Sequence, residues 1–148
     1  MAARVRAELL DEALAIVEGL LSGEPFGFDG PHYRFAPMTF RPPSVQRPRV
    51  PVWVVAVTSS ERSLARALRW DGIVTQAVSA EEVRSLAGRA RPGFEIVVDG
   101  KTNPAEAASL ARVAAMAGAG ATWWTEADWE GPTVESIRAR IAAGPPRP

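Results

Sequence analysis

The sequence predicts an α/β fold of four successive strand–helix units, and three observations predict it. Apolar runs of strand length begin at positions 52, 73, 94 and 121. Each is followed by apolar residues at helical spacing, opened by a Ser, Thr or Asn of the kind that caps helices. Gly and Pro punctuate the units, at Asp71-Gly72, Pro92-Gly93 and Gly118 with Gly120. Strands alternating with helices in this way pair in parallel through right-handed crossovers.

Ahead of the units, Leu9, Leu10, Ala13, Ile16, Val17, Leu20 and Leu21 recur at helical spacing. Gly23 and Pro25 then stop this leading helix. Phe26, Phe28, Tyr33, Phe35 and Phe40 flank Asp29-Gly30-Pro31, the pattern of an aromatic hairpin or extended excursion. Residues 41–51 carry Pro42, Pro43, Pro48 and Pro51 and are expected to run as a stiff, irregular connector.

The run 52–57 is apolar throughout and reads as a strand buried on both faces. Thr58 and Glu61 have capping-box spacing ahead of a helix through Leu64, Ala65 and Leu68. Asp71-Gly72 turns the chain into strand 73–76, and Ser79 with Glu82 forms a second capping box. Val83, Leu86, Ala87 and Ala90 line the helix that follows, and Phe94 begins the third strand. Asn103-Pro104 opens the third helix, with Ala107, Leu110, Ala111, Ala114 and Ala117 as its inner face. The fourth strand is 121–125. Thr133 caps a last helix whose apolar residues are Val134, Ile137 and Ile141. The organisation expected is a single partial domain over 1–148: leading helix 1–23, hairpin and connector 24–51, four βα units 52–148.

Composition narrows the function. Lys plus Arg and Asp plus Glu both total 17, so the surplus positive charge of a general nucleic-acid binder is missing. With no cysteine there is neither disulfide nor thiolate metal site, and the one histidine, His32, precludes a multi-histidine centre. No apolar stretch approaches the roughly 20 residues of a membrane span, and acidic residues interrupt the first 21 positions where a signal peptide would be apolar. A cytoplasmic protein that binds neither nucleic acid nor membrane is expected. Two architectures accommodate four βα units: a small doubly wound sheet, or half of a (β/α)8 TIM barrel. A complete barrel takes roughly 250 residues.

Several segments together resemble the luciferase-like monooxygenase family of FMN- or deazaflavin-dependent oxidoreductases. They are Leu9-Leu10-Asp11-Glu12-Ala13-Leu14 through Leu21-Ser22-Gly23-Glu24-Pro25-Phe26, with Gly30-Pro31-His32-Tyr33; Arg41-Pro42-Pro43 into Val50-Pro51-Val52-Trp53-Val54; Ala67-Leu68-Arg69-Trp70-Asp71-Gly72-Ile73-Val74; Ile96-Val97-Val98-Asp99-Gly100; and Gly118-Ala119-Gly120-Ala121-Thr122-Trp123-Trp124-Thr125-Glu126, closing at Gly144-Pro145-Pro146. The resemblance implies that these are the C-terminal half of the barrel, strands five through eight, with strands one through four to come from elsewhere. It further implies FMN or an F-420-type deazaflavin as cofactor and a small organic substrate.

Sites in such barrels form at the C-terminal ends of strands. Thr58, Ser59 and Ser60 follow a strand and open a helix, where hydroxyls and backbone N–H groups favour an anion, and Arg62 adds a charge. The resemblance makes this loop the contact to the cofactor phosphate; helix capping is the blander use of the same residues. Many relatives carry Gly-Gly where this chain has Val55-Ala56, whose side chains hinder close approach of a phosphate. Trp123 and Trp124 are adjacent on a strand, so one faces the barrel interior and one the helices, as pocket wall or as core. Glu126 as general base is a weaker candidate, because no partner that would tune it is visible, and His32 as proton shuttle is another, because packing beside the aromatic cluster is the blander use. No catalytic residue is assigned, and no metal.

A four-strand half-barrel leaves one strand face uncovered. By alternation that is either Trp53 and Val55 or Val52 and Val54, joined by Ile96 or Val97. The apolar patch and two open sheet edges predict a second half-barrel as partner, either another copy or a separate N-terminal half. The alternative is a non-catalytic binding or interaction module, whether a degenerate half-barrel or a small doubly wound α/β domain.

Overall fold

A computed structural model describes residues 2–103 and 106–145. The chain forms two compact units, Met1–Pro51 and Val52–Pro148.

In the first unit, helix α1 (Ala3–Leu21) ends at the Ser22 cap and turns at Gly23, whose φ is +78°. Strands β1 (Phe26–Asp29) and β2 (Arg34–Met38) pair antiparallel, with Asp29 opposite Arg34 across the turn. Phe26, Phe28 and Phe35 form one ring cluster, with centroids 6.1–6.5 Å apart. Gly19 makes room for it on the helix: a Cβ there would stand 2.3 Å from the Phe26 ring. The hairpin turn is tied to α1 by Glu12, whose carboxylate accepts the His32 and Tyr33 amides. The connector is irregular, as its prolines require.

The second unit holds β3 (Trp53–Val55), α2 (Glu61–Ala67), β4 (Gly72–Val74), α3 (Ala80–Arg89), β5 (Glu95–Gly100), α4 (Ala107–Ala119), β6 (Trp123–Glu126) and α5 (Val134–Ala143). All neighbouring strands are parallel, in the order β3-β4-β5-β6. Sequential order matters. Right-handed crossovers that always step in one direction put every helix on the same face of the sheet, whereas a doubly wound sheet reverses direction and covers both. Val54, Ile73, Ile96 and Val98 lie buried on one face, and Leu64, Ala67, Val83 and Leu86 are the buried residues of α2 and α3. Trp53 and Val55 face the other way and are exposed. This is a sector of a (β/α)8 barrel, half of the closed cylinder.

Several local expectations change. The run 52–57 is buried on one face only: Val54 and Ala56 are enclosed while Val55 and Val57 are more than 60 % exposed. It is Trp53/Val55, on the uncovered face, that occupies the position of the barrel interior; Val97 shares that face but is buried mid-sheet. Helix α2 is capped by Ser60, which accepts the Ser63 amide, and not by Thr58, so the chain makes one more turn before the helix starts. The inner face of α4 is Leu110, Val113, Met116 and Ala119; Ala107, Ala111, Ala114 and Ala117 are exposed, because the wider apolar side chains set the buried stripe. Glu106 precedes α4, and the Pro104 expected in its first turn lies outside the described residues. The capping box of Ser79 and Glu82 is present, and Thr133 caps α5 with Ser136 as reciprocal partner. Val134, Ile137 and Ile141 of α5 are exposed.

Gly72 does not turn the chain but serves a close approach. A Cβ there would stand 2.6 Å from the Trp53 ring and 2.8 Å from the Glu95 carbonyl oxygen. Asp71 makes the preceding corner, accepting the Val52 amide at 2.8 Å and pairing with Arg91 at 2.9 Å.

Candidate functional site

Four loops leave the C-terminal ends of β3 to β6; of the residues singled out from the sequence, Thr58, Ser59 and Ser60 lie on the first of them, Arg62 in α2, and Trp123, Trp124 and Glu126 on β6 itself. Thr58, Ser59, Ser60 and Arg62 lie together between β3 and the first turn of α2. Their hydroxyls are not equivalent. Thr58 Oγ1 donates to Glu82 Oε1 at 3.0 Å, linking this loop to α3, and Ser60 Oγ is held by its capping bond. Glu82 is kept below the usual carboxylate range by the Ser79 amide first, then by the Ser79 and Thr58 hydroxyls. Ser59 and Arg62 are exposed, and the amides of Thr58 and Ser59 donate to no acceptor among the described residues. Above β4, Ala77 adopts φ +50°, a left-handed conformation uncommon for a residue with a side chain.

A charged cluster joins the loops after β5 and β6. Thr102 gives its amide to Glu126 Oε1 at 2.6 Å and its hydroxyl to Glu126 Oε2 at 2.8 Å. Trp124 Nε1 donates to the same carboxylate at 3.1 Å. Arg140, from α5, donates to the Thr102 hydroxyl at 3.0 Å, and its Nε lies 3.0 Å from Glu126 Oε1 as an ion pair rather than an aligned hydrogen bond. Partial burial works against the Glu126 charge, but Arg140, the Thr102 amide, Trp124 and the Thr102 hydroxyl outweigh it and lower the carboxyl pKa to about 2. A carboxylate so weakly basic and so fully engaged is an anchor for α5, not a general base at neutral pH. Beside it Lys101 pairs with Asp128 at 2.7 Å. The cluster borders an open cleft of about 790 Å³ that Trp124, Ile137 and Ile141 line on the apolar side.

The two tryptophans divide as alternation requires. Trp124 lies toward the helices, with the Arg112 guanidinium 5.3 Å from its ring centroid. Trp123 stands on the uncovered face, 5.4 Å from the Trp53 ring, and donates to Glu95 Oε2 at 3.1 Å. Trp53 begins β3 and Trp123 begins β6, so the pair closes the N-terminal end of that face and leaves its C-terminal end open. Trp129, from the loop after β6, reaches Asp99 Oδ2 at 2.9 Å near the open end.

His32 belongs to the first unit, where its Nε2 lies 3.1 Å from Glu8 Oε2. Sequence reading missed the Glu126–Thr102–Arg140 cluster and the Trp53–Trp123 pair. The only signal for the first was a carboxylate ending a strand two residues after Trp124; no local pattern points to Arg140. Among the described residues no group of three or more His, Cys, Asp or Glu is placed to hold a metal ion, and no helix is long and apolar enough to cross a membrane.

A search of curated proteins returned no match. The family model for luciferase-like monooxygenases matches residues 2–96, more than half of the 148. That match runs from α1 into β5, through the loop carrying Thr58 to Arg62. With the barrel-sector fold and the open C-terminal strand ends, it identifies the chain as a member of the luciferase-like monooxygenase family.

Proposed function

We propose that this chain is the C-terminal half of a flavin-type oxidoreductase barrel, adding part of the cofactor-phosphate grip and one wall of the substrate pocket. The observation that carries the reading is the uncovered face of the β3–β6 sheet, closed below by Trp53 and Trp123 and open above. In this reading 1–148 is one partial domain acting in the cytoplasm; the family match, over residues 2–96, reaches into both compact units. Thr58, Ser59, Ser60 and Arg62 are the residues for a phosphate at the rim: the amides of Thr58 and Ser59 have no acceptor among the described residues, Ser59 is exposed, and Arg62 brings the charge. Val55 and Ala56 keep the phosphate from lying flat on the strand end, so these contacts are peripheral. FMN or a deazaflavin, when bound, supplies the redox chemistry on a small organic substrate; the chain's residues bind, orient and exclude water. The first four strands supply the rest of the pocket, and the chain is inactive without them.

Absorbance titration with FMN and with deazaflavin tests this, for the chain alone and with a luciferase-like N-terminal half added. Submicromolar binding in the mixture supports the reading. No binding in either case favours a non-catalytic interaction module, the second reading, which Val55-Ala56 and the internally committed Thr58 and Ser60 hydroxyls support.

A further inference from the structure

Among the described residues, the strands contribute two carboxylates and no cation to the uncovered face of the β3–β6 sheet. Strand register sets Glu95 in one row with Trp53 and Gly72, and Asp99 in one row with Thr125. Neither carboxylate is matched in charge on that face: Glu95 accepts from the Trp123 indole and Asp99 from the Trp129 indole. One neutral donor leaves most of the lone pairs of a carboxylate to water. Apolar Trp53, Val55 and Trp123 surround them in the open. The edge strands β3 and β6 each have one unpaired side. A cover over this face takes Glu95, and less completely Asp99 toward the open end, out of water, and a charge taken out of water needs a partner charge.

A second copy fails that requirement. It would bring its own Glu95 and Asp99, placing four carboxylates and no strand-borne cation inside one closed interior. Like charges facing each other across an interface act against the wrong partner. We infer that this face selects against self-pairing and takes a half-barrel of different sequence whose inward-facing residues bring Lys or Arg to Glu95 and Asp99. The inference rests on the reading of the chain as a C-terminal half-barrel.

Charge reversal tests it with the chain itself as probe. Sedimentation velocity is run on the parent, on the E95K/D99K variant and on their equimolar mixture, at low and high salt. Each chain alone sediments as a monomer. The mixture forms a one-to-one pair at least tenfold tighter than either self-association, and the pair weakens as salt rises. E95Q/D99N, which removes the repulsion and keeps the shape, self-associates more tightly than the parent. A parent chain that self-pairs as tightly as the mixture overturns the inference, as does a mixture that stays monomeric with circular dichroism intact. If E95K/D99K loses its fold, the neutral variant decides, and no gain in its self-association overturns the inference. The readout is mass. Pairing by charge without cofactor uptake therefore counts against the proposed function and leaves this inference standing.

Discussion

The rings of Trp53 and Trp123 lie 5.4 Å apart although two strands, β4 and β5, separate their own. In a flat sheet, strands three places apart are roughly 14 Å apart, from a spacing of 4.7–4.9 Å per step. Two large side chains leaning inward shorten that span, and curvature of the sheet toward them shortens it further. Gly72 leaves room for the first of them, presenting no side chain where Trp53 passes. A small residue between two large ones is how barrel interiors fill without voids. The pair therefore marks the side on which the cylinder closes.

Gly72→Ala is expected to destabilise the second unit by about 1–3 kcal/mol, the usual cost of overpacking. The new methyl would meet the Glu95 carbonyl as well as Trp53, and a backbone atom cannot swing aside. Denaturant unfolding followed by near-ultraviolet circular dichroism checks this, with Trp53→Phe/Gly72→Ala as the relieving double variant. An unchanged midpoint for the single variant would mean that the rings do not stand over Gly72.

Helix α2 offers a contrast between two hydroxyls. Ser60→Ala removes the bond to the Ser63 amide and is expected to cost about 1 kcal/mol. Thr58→Val keeps the shape and loses only an exposed bond to Glu82, so its effect is expected to be smaller. Thermal melts of both variants decide the matter. A larger loss for Thr58→Val would return the cap to Thr58.

The contrast shows where sequence stops being informative. Alternating runs, caps and breakers determined the number, order and direction of the second unit's elements, because these depend on neighbours a few residues apart. Ser79 with Glu82 was readable for that reason. Thr58 with Glu61 has equivalent spacing and failed, since Glu61 is drawn to Arg89 on the next helix by two 2.9 Å hydrogen bonds. Burial was misread wherever covering elements were assumed. The run 52–57 reads as enclosed only if something packs on both its faces. Arg140 meets Thr102 across 38 positions and Trp53 meets Trp123 across two intervening strands; no window along the chain contains either pair.

Glu126 makes stability depend on acid. Its pKa falls from about 4.5 when unfolded to about 2 when folded, so its stabilisation is complete above about 4.5 and is lost as pH drops toward 2. Glu126→Gln is expected to lower Tm at pH 7 by on the order of 5–10 °C and to flatten the decline between pH 4.5 and 2. A residual slope remains from Asp128 and Glu61, whose carboxyls are also held low, by Lys101 and by Arg89. Melts of parent and variant across that range provide the check; parallel curves would remove Glu126 from the account.

The phosphate assignment separates from the rest of cofactor binding by comparing FMN with riboflavin, which lacks the phosphate. In a barrel completed by an N-terminal half, Arg62→Ala removes one charge from the rim and leaves the ring pocket untouched. FMN affinity is expected to fall about tenfold, the scale of one charge-assisted hydrogen bond at 1.4 kcal/mol per decade. Riboflavin affinity is expected to stay constant, and the salt dependence of FMN binding to diminish because one exposed charge has gone. Ser59→Ala should act in the same sense and more weakly, its hydroxyl being neutral. Fluorescence quenching titrations of parent and variants with each ligand measure these affinities. Equal losses for FMN and riboflavin would place Arg62 in the folding of the loop; no loss for either would move the phosphate to another strand end.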